Sequence, residues 1–288
     1  MTLPPPMEAG KVYLIGAGPG DPELLTLKAR RLIDAADYVL YTGSLVPDVH
    51  FVGIRGEVED SKGLTLDDMV GRMVERARQG QRIARVHTGD PAVYGATHEQ
   101  IARLEAAGVP WEVVPGVTSA LAAAAVLGAE LTIPEMTQTI VLSRTAGRTP
   151  MPPGEDLQDL ARLGNATLCL YLSATLVEKV ARELIAGGRP ASTPVAVVQH
   201  ATLPTQRILR GTLATIASEV RTARVRDQAM VLVGPALDPE LRHHVGQHES
   251  RLYAADFSHR FRRAERGGGS DDPAGPDIDA TLPPSEPT

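Results

Sequence analysis

The chain has 288 residues, 43% hydrophobic, 22% charged and 3% aromatic, with a formal net charge of −6 and one cysteine. That length allows two modest domains around a sizeable core, and a lone cysteine excludes an internal disulfide framework or a multi-cysteine metal site. Without its acidic tail the body is nearly neutral, which argues against general nucleic-acid binding; the apolar run Leu121 to Leu127 is too short for a membrane helix of about 20 residues, and the opening Met-Thr-Leu-Pro-Pro-Pro has no basic or apolar leader region, so a cytoplasmic protein is expected.

Val12-Tyr13-Leu14-Ile15 reads as a buried strand that runs into a glycine-rich turn, Gly16-Ala17-Gly18-Pro19-Gly20-Asp21-Pro22. Leu24, Leu25, Leu27, Leu32 and Ile33 then recur at helical spacing, and Tyr38-Val39-Leu40-Tyr41 is the next strand. Thr65-Leu66-Asp67-Asp68 has the pattern of a capping box that opens a helix through Arg78, with Gly80 closing it. A strand over 83–87 enters a second turn, Thr88-Gly89-Asp90-Pro91. There Gly89 has no side chain to block a ligand, Pro91 fixes its own backbone torsion, and Asp90 can bond local amides. Two such turns, each after an apolar strand and each containing Asp-Pro, predict one shared cleft.

A helix near 98–107 and a strand over 111–114 follow, and Pro115-Gly116 marks a hinge. Thr118 or Ser119 can cap an alanine-rich helix to Leu127. Strands are expected over 139–143, 167–172, 194–199 and 229–233, and helices near 176–186 and 213–221, so that the second half has more strands and fewer long helices. Proline-containing loops at 147–154 and 201–206 are places where binding groups sit on a rigid scaffold. This alternation predicts an α/β fold of two α/β domains, 11–116 and 117–238, with an inter-domain cleft and a mainly parallel sheet with covered faces in the first. An extension over 239–288 follows. From Gly267 onward it holds five acids and no Lys or Arg, and disorder is expected from about 267. Arg260, Arg262, Arg263 and Arg266 read as a solvated basic face.

The first turn does not suit a dinucleotide. The fingerprint G-x-G-x-x-G is met at Gly16 and Gly18, but its third place is Asp21, whose charge opposes a phosphate there, and the strand 38–41 lacks a terminal acid for ribose hydroxyls. Cys169, inside Ala166-Thr167-Leu168-Cys169-Leu170-Tyr171-Leu172, reads as a core thiol.

Taken together, Gly16 to Pro22, Tyr41-Thr42-Gly43-Ser44-Leu45-Val46, His87 to Gly95 and Val114-Pro115-Gly116-Val117-Thr118-Ser119-Ala120 resemble the successive signatures of the tetrapyrrole (corrin and porphyrin) methyltransferases. Within that family, Glu130-Leu131-Thr132-Ile133-Pro134, Gln138-Thr139 and Arg144-Thr145-Ala146-Gly147-Arg148-Thr149-Pro150 resemble the precorrin-4 C(11)-methyltransferases of cobalamin biosynthesis. The likeness covers about residues 11 to 238. In one departure, Gly43 and Ser44 stand where uroporphyrinogen-III methyltransferases usually carry Asp-Arg, which points to a later substrate.

The resemblance implies S-adenosyl-L-methionine as methyl donor, precorrin-4 or its cobalt form as acceptor, and a homodimer. It places the donor at Pro19, Thr88, Gly89, Asp90, Val93, Thr118, Ser119, Leu172, Ala201 and Ala229. For Leu172 and Ala229, core packing alone explains the residue type equally well. A polycarboxylate macrocycle needs local cations, for which Arg144 and Arg148 around the Gly-Arg-Thr-Pro loop are the first choices, ahead of Arg55, Lys62, His98 and His200. Asp21 either accepts a bond from a pyrrole N–H or helps remove a proton from the macrocycle, or it only caps a helix. No metal is required. A tetrapyrrole carrier without turnover is the rival from another class, and a dinucleotide oxidoreductase the third.

Overall fold

The computed structural model describes residues 6–43, 45–243, 250–255, 257–258 and 262. Residues Met1–His244 form one compact unit and Val245–Thr288 a second. The first unit contains two five-stranded sheets.

The first sheet comprises β1 (Val12–Gly16), β2 (Tyr38–Tyr41), β3 (Glu57–Asp60), β4 (Ile83–His87) and β5 (Trp111–Val114), in the order β3-β2-β4-β1-β5 and parallel throughout. Its connections are α1 (Leu27–Ala35), α2 (Leu66–Arg78) and α3 (Thr97–Ala106). Helices on both faces explain why β1 and β4 are buried along their whole length; β1 reads as a continuous apolar run, whereas β4 also buries Arg85 and His87. Tyr13, Ile15, Ala84 and Val86 pack beneath Ala29, Leu32 and Ile33 of α1, whereas Val12, Leu14, Tyr38 and Ile83 meet Val70 and Met73 of α2 and Leu104 of α3. The expected capping box opens α2, with Thr65 Oγ1 accepting from Asp68 N and Asp68 Oδ2 accepting from Thr65 N, both at 3.2 Å.

The second sheet follows α4 (Ser119–Leu127) and comprises β6 (Ile140–Arg144), β7 (Thr167–Tyr171), β8 (Pro194–Gln199), β9 (Arg207–Thr212) and β10 (Ala229–Val233). Its order is β6-β7-β10-β8-β9, with β6 and β7 parallel and the other neighbours antiparallel. One face is covered by α5 (Leu157–Ala161), α6 (Val177–Ala186) and α7 (Ile216–Thr222). The other receives the alanine face of α4, where Ala120, Ala123 and Leu127 pack with Cys169, Ala196 and Leu232.

The structure departs from the sequence expectations in a few places. Both sheets have five strands, because β3 and β9 were not expected. Each is an edge strand, one reading Glu-Val-Glu-Asp and the other carrying arginines, so neither shows the apolar run of a buried strand. The stripe from Leu24 to Ile33 is broken. Residues Pro22–Leu24 form a 3-10 turn, and Thr26 caps α1 through Ala29 N at 3.1 Å, leaving Leu27 almost fully exposed. In the second unit Arg262 donates to the carbonyls of Leu252 at 2.9 Å and Ala254 at 2.6 Å. Ser44, the expected tail from 267, and Arg260, Arg263 and Arg266 lie outside the described residues.

Candidate functional site

The two glycine-rich turns meet. Gly18 N donates to Gly89 O at 3.1 Å and Gly89 N to Gly18 O at 2.8 Å, an isolated antiparallel bridge at the carboxyl ends of β1 and β4. Gly116, just past β5, joins them: a Cβ there would lie 2.2 Å from Gly89 O, and one at Gly16 would lie 2.7 Å from Gly116 N. Three backbones thus touch where only hydrogen fits. Asp90 braces the contact by accepting from Ala92 N at 2.8 Å and from Gly116 N at 2.9 Å.

Beside this junction lies a cavity whose larger part is lined by Pro19, Leu45, Thr88, Ser119, Tyr171, Leu172, Val198, His200, Ala201, Gln228, Ala229 and Met230. Its smaller part is lined by Gly89, Asp90, Val93, Tyr94 and Thr118 and shares Leu45, Thr88, Ser119, Tyr171 and Leu172 with the first. The larger part has a cavity volume of about 130 Å3. It sits at the carboxyl edge of the parallel sheet, the usual place for a ligand in open α/β folds.

Backbone strain gathers here. Tyr94 (φ 55°), Leu172 (φ 53°), His200 (φ 51°) and Gln228 (φ 42°) are left-handed although none is glycine, and all four line the cavity. Each such residue costs on the order of 1 kcal/mol and persists only where its surroundings impose it. In Leu172 the consequence is visible: β7 ends at Tyr171, and Leu172 is 68% exposed rather than packed in the core.

The polar groups are few. Thr118 holds the N-cap position of α4, yet its side chain makes no cap; Oγ1 instead lies 2.5 Å from the Tyr171 hydroxyl. Burial raises the pKa of Tyr171, so its hydroxyl stays protonated. The Tyr94 and Tyr171 rings lie 5.3 Å apart. On β4, Arg85 is 4% exposed and donates to Leu40 O at 3.2 Å, Ser61 Oγ at 3.1 Å and Gln100 Oε1 at 3.2 Å, all neutral acceptors; burial lowers its pKa to about 10. Two residues on, burial and then the Arg85 charge lower His87 to about 3, so the imidazole is neutral, and its Nε2 has no hydrogen-bond partner among the described residues.

Residues 11–217 match the family of tetrapyrrole (corrin/porphyrin) methylases. The chain belongs to that family. A precorrin-4 C(11)-methyltransferase of Pseudomonas aeruginosa is 45% identical over 255 residues, covering 88% of this methylase and 99% of the relative. The X-ray structure of a cobalt precorrin-4 methyltransferase superposes with a TM-score of 0.78 at 50% identity, over 80% of this chain and 97% of that one. The uroporphyrin-III C-methyl transferase of Thermus thermophilus, complexed with S-adenyl homocysteine, gives a TM-score of 0.67 at 32% identity, over 79% and 93%.

The methylase brings all ten residues named for the donor, from Pro19 to Ala229, to the walls of these two adjoining hollows, which share five lining residues. Asp21 does not line it; its Oδ1 accepts from Glu23 N at 2.9 Å as the cap of the 3-10 turn. The two candidate arginines part company. Arg144 donates to the carbonyls of Thr149 at 3.2 Å and Pro150 at 2.7 Å and so ties down its own loop, with Lys179 holding Ala146 O at 2.7 Å. Arg148, at the exposed tip, makes no ion pair among the described residues. His200 lines the cavity, with Nδ1 2.9 Å from Thr205 Oγ1, whereas Arg55, Lys62 and His98 are exposed and do not line it. Sequence reasoning missed Leu45, Tyr94, Tyr171, Val198, Gln228 and Met230 as cavity residues. The signal for Tyr171 and Gln228 was their place at a strand end facing the loops.

Proposed function

We propose that this chain methylates carbon 11 of precorrin-4 or of cobalt-precorrin-4, giving the corresponding precorrin-5 in cobalamin biosynthesis, with S-adenosylmethionine as donor. The observation that carries the reading is the pair of adjoining hollows beside the Gly18–Gly89 bridge, lined by Pro19, Thr88, Gly89, Asp90, Val93, Thr118, Ser119, Leu172, Ala201 and Ala229. The donor fits it in chemistry. A Cβ on Gly89 would project to within 3.7 Å of Ser119 and Thr118 without clash, so glycine keeps that space free for a ligand, while Val198, Ala201 and Met230 supply apolar wall for an adenine. When bound, S-adenosylmethionine supplies a methyl group activated by sulfonium charge. The protein's own part is to exclude water and to fix the approach of the macrocycle. Leu172 and Leu45 cover the cavity with apolar surface, and Thr88, Ser119 and the Thr118–Tyr171 pair present hydroxyls.

In this reading Arg148 meets a carboxylate of the macrocycle, and Arg144 positions the loop that carries it. Asp21 serves as a helix cap. The division at 116/117 separates a sheet that supplies the turns from a sheet that supplies Leu172, Ala201 and Ala229. A cytoplasmic homodimer that binds neither nucleic acid nor membrane belongs to the same proposal; no helix among the described residues is long and apolar enough to cross a membrane. The test is incubation with isotopically labelled S-adenosylmethionine and either metal-free or cobalt-bearing precorrin-4, with the new methyl located by NMR. Label at carbon 11 supports the enzyme. Bound macrocycle and donor with no transfer from either form would identify a carrier.

A further inference from the structure

The corner formed by the ends of β2 and β3 holds a carboxylate that the reading above does not use. Asp60 ends β3, and its Oδ1 accepts from Gly43 N and from Lys62 N, each at 2.8 Å. A Cβ on Gly43 would lie 2.0 Å from Asp60 Oδ2. The carboxylate therefore fills the space that a side chain at position 43 would need.

The corner is rigid. Ser61 Oγ donates to Tyr41 O at 2.8 Å, and the buried guanidinium of Arg85 bonds Ser61 Oγ at 3.1 Å and Thr42 Oγ1 at 3.4 Å from beneath. Asp60 Oδ2 makes no hydrogen bond among the described residues, and the residue is exposed. The corner also adjoins the cavity. Leu45, two residues past Gly43, lines both its parts. Asp60, Tyr41 and Val86 share one cross-strand row, so Asp60 stands two strand spacings, about 10 Å, from the strand that leads to Thr88. A flat macrocycle lying on the carboxyl edge of the sheet spans such a distance.

We propose that Asp60 touches the bound tetrapyrrole at its electropositive centre and so fixes which ring edge faces the methyl donor. Electrostatics selects the centre over the rim. The rim of such a substrate bears carboxylates, which an exposed Asp repels, whereas ring N–H protons, or a cation chelated among the ring nitrogens, attract it. This inference rests on the methyltransferase reading.

Asp60→Asn is the decisive variant, because an Asn oxygen still accepts from Gly43 N and Lys62 N while the charge is lost. With the macrocycle form that the wild type methylates, kcat/KM is expected to fall ten- to a hundredfold, the loss corresponding to one charge-assisted hydrogen bond, with S-adenosylhomocysteine affinity and melting temperature unchanged. A loss with metal-free substrate alone identifies the N–H groups as the target, and a loss with the cobalt form identifies the cation. The double variant Gly43→Asp/Asp60→Gly returns the acid to the same space from the turn after β2, and is expected to recover activity relative to Asp60→Gly. Unchanged kcat/KM in Asp60→Asn overturns the proposal, as does a folded double variant no better than Asp60→Gly. A wild type that transfers no label sinks the function reading and this inference together; an active wild type matched by Asp60→Asn sinks the inference alone.

Discussion

Replacing Gly89 with alanine separates binding from folding at the junction of the two turns. Gly89 has φ 61°, a conformation that costs an L-residue roughly 1–2 kcal/mol, so the melting temperature should fall by about 2–8 °C for a unit of this size. The added methyl finds its nearest protein atoms at 3.7 Å, Ser119 N and Oγ and Thr118 Cα, so it does not push the chain apart. It occupies cavity space instead. Forcing a methyl-sized group into a filled site costs about 1–3 kcal/mol, which weakens S-adenosylhomocysteine affinity roughly five- to 150-fold. Titration calorimetry reads the affinity and a thermal melt reads the stability. Gly116→Ala is the contrast: its methyl would stand 2.2 Å from Gly89 O, so the junction must open by about 0.8 Å, and the main loss should be in folding. An affinity within twofold of wild type in a folded Gly89→Ala protein would refute the assignment of this turn to the ligand.

Other consequences can be checked separately. His87 is neutral in the folded protein, with its pKa near 3 against 6.5 when unfolded. The unfolded chain therefore binds the extra proton below about pH 6.5, and the stability His87 contributes is present above that pH and lost as pH falls. Between about pH 6.5 and 5 the slope approaches 1.4 kcal/mol per unit. The buried His50 shifts in the same direction, and denaturant titrations should show a shallower slope in His87→Gln. Cys169, buried and pushed up to about 12, should resist thiol reagents in the native protein and react only on unfolding. Arg148→Ala should raise KM for the macrocycle about tenfold with donor affinity unchanged. Arg144→Ala frees the carbonyls of Thr149 and Pro150 and should speed proteolysis in the loop 145–150.

The parts of this fold that announce themselves in sequence are those whose burial is two-sided. β1 and β7 are runs such as Val-Tyr-Leu-Ile-Gly because helices or a second layer cover both faces, and the two Gly-Asp-Pro turns stand out because close backbone contact leaves few residue types possible. β3 stayed hidden because an exposed edge strand can be Glu-Val-Glu-Asp, which carries no apolar alternation. The donor residues were named through resemblance, and their convergence on one cavity depends on strand order, which no local pattern encodes. Arg144 shows the limit on single residues: position suggested a ligand group, while the carbonyls that occupy its guanidinium are a property of how the following six residues fold back.

The strand order also sets a schedule for the growing chain. β1 lies between β4 and β5, pairing Val12 with Ile83 and with Trp111, so its two edges wait for segments made about 70 and 100 residues later. At ribosomal speeds that delay is on the order of ten seconds, during which a wholly apolar strand has no native neighbour. The second sheet contains a shorter circuit, since β8 closes on β9 within one hairpin, Gln199 against Arg207. Non-local parallel pairing is slow to form and open to wrong partners while it waits. The N-terminal half, which carries both glycine turns, is thus the part of this protein most dependent on protection from aggregation during synthesis.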